Sequence, residues 1–271
     1  MAVSGQVTAR DTTEPSHPPH AIQDNSFLVE EAYNQEEGIV QHISQFTWDQ
    51  ASGDWLFTFT QEWPVTGIRH QLSVTLPVER VSEPQARGAG DTALNYRYQL
   101  VGDDLTKVAV APRLTVFLPT GSARRGLGAG SAGAQIAVPV STLLSDDWIA
   151  HWNAGATWTP SARSRAGDRA STAAWNAGAS VIWLGSPVLD VLIETVYSKF
   201  QSVAGKERTS SDSSCLVSPG IRWAYNFPSG LQIVPGIAVP IGVGPSRGSR
   251  QILLYLSFEH PFRKVDRPTS P

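Results

Sequence analysis

The chain has 271 residues, a net charge of −3, 41% hydrophobic residues and only 17% charged ones. It carries neither a basic stretch nor an acidic tail of any size, which makes nucleic acid a poor partner. One cysteine, Cys215, excludes an internal disulfide framework and any multi-cysteine metal site.

Residues 1–25, rich in Pro, Thr and Ser, read as a disordered lead-in. They hold nothing like the roughly 7–15-residue apolar core of an export signal, so an exported chain of this kind is expected to be a mature form or to start further upstream. Residues 26–37, SFLVEEAYNQEE, are the one stretch that reads as a short helical or extended segment, with Ser26 as a candidate N-cap. Lying before the first strand, this segment is a candidate plug or tether.

From residue 38 the sequence alternates apolar and polar residues in runs of about ten, the period of half-buried strands. Strands are expected at 39–48, 55–63, 70–80, 93–101, 107–118, 134–144, 148–158, 173–184, 188–199, 214–226, 231–242 and 250–260. Short connections (64–69, 102–106, 145–147, 185–187, 227–230) fall between longer polar ones (81–92, 119–133, 159–172, 201–213, with 243–249 shorter). The tight 49–54 loop is the exception. Short periplasmic turns against longer extracellular loops mark outer-membrane barrels, whereas a soluble sandwich has no reason to sort its loops by end. No run of about 18 apolar residues exists, so a membrane-spanning helix is excluded. The expected fold is all-β: a closed antiparallel transmembrane up-and-down barrel of about 12 strands. It would occupy 38–262, after a 1–37 lead-in and before a polar tail at 263–271.

Nine tryptophans fit membrane interfaces, where ring and N–H are both accommodated. Trp148 and Trp158 lie ten residues apart on one face, roughly 33 Å along a strand. A tilt of about 40° projects this to about 25 Å, the height of the apolar band. Trp175 and Trp183 bracket Ala177, Ala179 and Val181, and Trp55 and Trp63 bracket Phe57 and Phe59. These six are the expected interface aromatics. Ile252, Leu254, Leu256 and Phe258, followed by Phe262, form a last amphipathic strand of the kind presented to outer-membrane assembly machinery.

With the apolar phase outward, the lumen-lining candidates are Glu62, Glu79, Asn95, Arg97, Arg113, His151, Asp190, Glu194, Arg222 and Glu259. Both signs occur, and unpaired charge in a partly dry lumen costs several kcal/mol, so these groups are expected to pair. Arg97, Arg113 and Arg222 suit such pairing, with Glu79, Asp190, Glu194 and Glu259 as available partners. The glycine-rich GLGAGSAG at 126–133 lacks the lysine of a phosphate loop and precedes no helix pattern. It reads as an external loop. Six histidines are scattered without an i, i+4 pair, so neither a metal nor another cofactor is expected. His151 has no serine on the same face of its own strand, and no catalytic residues are assigned. The chain reads as a non-enzyme.

The segments DNSFLVEEAYNQEEGIVQH (24–42), GDTALNYRYQL (90–100), VAPRLTVFLPTG (110–121) and GLGAGSAGAQIAVPVSTLLSDDWIAHWNAG (126–155) resemble a family of outer-membrane transporters named after the MetA pathway of phenol degradation. The resemblance covers most of 24–262. It implies a bacterial outer-membrane barrel, with the lipid bilayer and a small solute as partners, that passes small compounds, hydrophobic or aromatic ones among them. It brings no binding residues with it. The other readings are a structural barrel with a sealed lumen and a soluble ligand-binding β-barrel.

Overall fold

The computed structural model describes residue 22 and residues 26–103 and 106–262. The lead-in before Ser26, apart from Ile22, and the tail after Phe262 lie outside the described residues. Alternating sequences satisfy two unlike faces only when extended, and this one forms sixteen strand segments. They are β1 (Ile39–Asp49), β2 (Trp55–Pro64), β3 (His70–Ser82), β4 (Gln85–Ala89), β5 (Thr92–Tyr98), β6 (Val108–Val110), β7 (Arg113–Leu118) and β8 (Gly133–Ser145). There follow β9 (Trp148–Arg163), β10 (Arg169–Ser186), β11 (Leu189–Gly205), β12 (Arg208–Trp223), β13 (Tyr225–Asn226), β14 (Gln232–Ala238), β15 (Ile241–Gly242) and β16 (Gln251–Pro261).

Four pairs of segments (β4/β5, β6/β7, β12/β13, β14/β15) are each one interrupted stave, which gives a 12-stranded barrel. Pro112 and Pro240 sit at two of the interruptions, where a residue without an N–H cannot continue the ladder. All paired segments run antiparallel, and β1 closes on β16 from Ile39↔Pro261 to Asp49↔Gln251. The described residues contain no α-helix, only the 3-10 turns Ala123–Arg125 and Gly244–Ser246.

Two expectations need correction, the Ser26 cap and two of the long loops. Of the two forms expected for residues 26–37 the chain takes the extended one: the N–H groups of Leu28, Val29, Glu30, Ala32, Asn34 and Gln35 are taken by side chains of the barrel wall, and the Ser26 hydroxyl pairs with Ser180 (2.8 Å) rather than capping a helix. The expected long loops at 159–172 and 201–213 are mostly ladder, since β9 runs to Arg163, β10 starts at Arg169, and β11 and β12 meet across Gly205↔Arg208. Above the lipid both faces of a hairpin meet water, so the apolar alternation that betrays a strand is lost while its pairing persists.

The outer wall carries the apolar phase. Trp148 stands opposite Trp183, Trp158 opposite Ala173 and Trp175 opposite Ala156, and the Trp158 Nε1–H donates to Ser171 Oγ at 2.9 Å. Trp55 and Trp63 lie half-buried on the same outer phase. Trp48, not among the expected interface residues, stands opposite Trp55 and is exposed. Both ends of the barrel chain lie at the end with the short turns, the periplasmic end of such barrels.

Ala154 is an exposed outward residue near mid-strand in β9. Replacing it with Arg is expected to lower barrel stability in bilayers by about 2–4 kcal/mol. Ser210→Arg, on the β11–β12 hairpin above the lipid, should stay within about 0.5 kcal/mol of the parent. Urea titration of refolded liposome samples reads both, and equal midpoints would mean that this face does not meet lipid.

Candidate functional site

A strand supplies alternate side chains to the lumen, so the inner surface of this barrel is a lattice of polar groups with no free backbone edge. Residues 26–37 lie inside it. Ile22 packs with Ala224 and Val234 near the short-turn end, the chain rises to mid-barrel, and it returns to the start of β1 at the same end. It is a re-entrant segment.

The wall binds the segment's backbone group by group. Leu28 and Val29 N–H both donate to Glu194 Oε1 (2.8 and 3.0 Å). Glu30 N–H donates to Asn153 Oδ1 (2.7 Å), and Asn153 Nδ2 donates back to the Glu30 carbonyl (2.9 Å). Ala32 N–H donates to Ser141 Oγ (2.7 Å), while Gln99 Nε2 donates to the Ala32 carbonyl (2.8 Å). Gln99 Oε1 accepts from Asn34 N–H, and Gln71 Oε1 from Gln35 N–H (3.1 and 2.7 Å). Arg97 donates to Asn34 Oδ1 (2.9 Å) and to the carbonyls of Glu31 and Tyr33.

Close packing completes the grip. Phe27 lies against Gly220 and Gly236, where an added Cβ would come within 2.6 Å of its ring carbons. Tyr255 covers the ring at a centroid distance of 5.3 Å.

The residues expected in the lumen divide between this grip and its surroundings. Arg222 Nε donates to Asp190 Oδ2 at 2.8 Å, both groups being fully buried. Arg97 lies 3.8 Å from Glu62. Arg113 pairs with Glu30 of the segment itself, and also donates to Gln135 (2.9 Å). Glu194 holds backbone N–H groups, Glu259 accepts from Gln35 Nε2 (3.3 Å), and Asn95 bonds Ser73 and Thr115. Glu79 stands apart, beside Gly90 toward the loop end.

Glu30 as the partner of Arg113 was missed, because a candidate plug carries no register that sets residue 30 against a particular strand. Gln71 and Gln99 were missed likewise: a neutral amide on an inward phase gives no signal of its own. His151 Nδ1 and Ser141 Oγ lie 2.7 Å apart on adjacent strands. That serine also accepts the Ala32 N–H, and the Tyr33 ring packs edge-on against the imidazole. The pair is shut in and holds the segment. Among the described residues no group of His, Cys, Asp and Glu could hold a metal ion.

On the loop side of the segment a cavity of about 300 Å³ remains. Thr58, Thr60, Thr75, Thr115 and Asn95 line one side, and Phe27, Ile43 and Tyr255 another. The lumen is thus filled below and hollow above, with an amphipathic wall.

The family described as "Putative MetA-pathway of phenol degradation" matches residues 21–248. Among solved structures, the COG4313 outer membrane channel from Pseudomonas putida F1 aligns with a TM-score of 0.61 at 14% identity, covering 84% of this chain and 97% of that one. The KdgM porin aligns with a TM-score of 0.50 at 8% identity, over 82% of this chain and 99% of that one. At such identities the likeness is one of fold. No curated protein matches the sequence.

Removing one partner of a buried pair leaves the other charged without a counter-ion. Arg222→Met is therefore expected to destabilise the barrel by about 3–5 kcal/mol. Adding Asp190→Leu should recover most of the loss, since an apolar pair of similar volume is close to neutral. Denaturant midpoints of the single and double variants in one detergent check this, and a double variant no more stable than the single would refute the pairing.

Proposed function

The chain belongs to the family of the MetA pathway of phenol degradation, and we propose that it works as a passive outer-membrane channel for small solutes, hydrophobic or aromatic ones among them, held shut by residues 26–37. The observation that carries this reading is the grip on the segment. Its backbone is bound by the side chains of Glu194, Asn153, Ser141, Gln99 and Gln71 rather than by any strand. Side chains can let go one at a time and leave the barrel ladder intact. The cavity above supports the same reading. Its threonines and asparagine suit a solute hydroxyl, and its aromatic side suits an apolar body. A solute would descend along the β2–β7 wall and pass once Glu30 leaves Arg113. The outward run Leu254, Leu256 and Phe258 in β16 supports recognition by assembly machinery.

Deleting residues 1–34 removes the segment but leaves the whole ladder. The truncated barrel is expected to fold and to conduct several-fold more than the full chain in planar bilayers. Liposomes holding it should also swell faster in small phenols. An inserted truncation with unchanged conductance would reject the plug and favour a sealed structural barrel.

A further inference from the structure

The outer wall also carries a feature that the solute path does not use. On β8–β11, toward the loop end, it is hollowed by about 710 Å³. The strand registers explain the hollow. Ala134, Trp158 and Ala173 stand side by side, and one pleat lower come Ile136, Ala156, Trp175 and Lys199. Alanines between two tryptophans leave a floor well below the ring tops. Leu114 also lines the hollow, so it is apolar and lies at the outer lipid interface.

Cations crown it. Lys199 lines the hollow and is exposed. Up the same phase of β10, beyond Ala173 and Ser171, stands Arg169, six residues or about 20 Å along the strand from Trp175, the partner of Lys199. The partner of Arg169 across the ladder is Arg163, also exposed. Like charges directly opposite on adjacent strands repel. Asp168 precedes Arg169 and the Glu207 N–H donates to the Arg169 carbonyl (2.7 Å), but neither carboxylate forms an ion pair with it, and Asp212 takes the alternate phase opposite Phe200. Among the described residues the ion pairs are those of Arg97, Arg113 and Arg222, and none involves these three cations.

An apolar hollow at a lipid interface, with Lys199 at its side and an arginine pair above it, matches a ligand with acyl chains below and phosphates above. A zwitterionic or neutral lipid would fill the hollow but leave the arginine pair facing itself. We infer that this wall is a binding site for a phosphorylated, multiply acylated glycolipid of the outer leaflet. Its chains lie over Ala156 and Ala173, and its phosphorylated headgroup reaches the Arg163–Arg169 pair above and Lys199 at the side.

Native mass spectrometry of the full chain in neutral detergent tests this with three probes: bis-phosphorylated lipid A, the same lipid dephosphorylated, and glucosamine 1-phosphate. The phosphorylated lipid is expected to bind about tenfold tighter or more than the dephosphorylated one. In the variant carrying Lys199→Gln, Arg163→Gln and Arg169→Gln that preference should vanish. Ala156→Phe with Ala173→Phe should weaken both lipids while keeping their ratio. Heat-shifted gel mobility confirms that each variant is a folded barrel. Equal binding of the two lipids to the parent would overturn the site, as would a preference that survives loss of the three cations. Glucosamine 1-phosphate displacing the lipid at equal concentration would also overturn it, by showing an ion site without a role for the hollow.

Discussion

In hydrocarbon no water is available to a backbone N–H or C=O, so each must find its partner within the protein. The barrel meets that demand by closing β1 on β16, which leaves no strand edge facing lipid. The same demand then acts on whatever lies inside. Residues 26–37 enter a lumen whose backbone groups are already used, so their donors and acceptors go to side chains of the wall. That is why so many inward positions are Gln, Asn, Ser and Glu: each offers what a missing neighbouring strand would have offered. A net hydrogen bond contributes only about 0.5–1.5 kcal/mol, whereas an unmet buried group costs about 1–3. The segment is held less by the bonds it makes than by those it would forfeit on moving alone.

Charge follows the same logic. Arg222 with Asp190, and Arg97 with Glu62, are pairs between wall residues and brace the barrel whether or not the segment is present. Arg113 with Glu30 is a pair between wall and segment, and it is less buried than either. The barrel and its closure therefore rest on different ion pairs, which lets one change without unfolding the other.

The wall was legible in the sequence because its two faces meet two solvents. Trp148, Trp158, Trp175 and Trp183 are exposed on one phase of β9 and β10, and the same alternation sends Arg97, Arg113 and Arg222 inward. The segment was legible as a candidate plug or tether but its grip was not, because its partners are single polar residues scattered from Gln71 to Glu194, each ordinary in its own strand. Ser26, at the segment's start, left a short helix open as well as an extended form. A helix of that length is marginal without packing, and here the lumen binds the extended backbone instead. The β9–β10 and β11–β12 hairpins were under-read for the opposite reason. Where both faces meet water, composition no longer reports pairing.

The shape of the inner wall shows that segment and barrel form one packed unit on one side only. Gly220 and Gly236, on neighbouring strands, remove the two side chains that would otherwise occupy the place of the Phe27 ring. Gly178 likewise leaves room for Val29, whose Cγ2 would lie 3.1 Å from an added Cβ. These notches all fall on the β10–β14 side. Opposite them, β2, β3, β5 and β7 turn threonine, serine and asparagine toward the 300 Å³ cavity and leave it open. A lumen notched to seat an apolar side chain on one wall and lined with hydroxyls on the other is not evenly filled. Space for a second, small and amphipathic guest lies along the hydroxyl wall, where Arg113 reaches across to Glu30 at the segment's apex. The contact of segment with wall and the open space beside it therefore share one narrow level of the barrel, set by the register of β7 against β8.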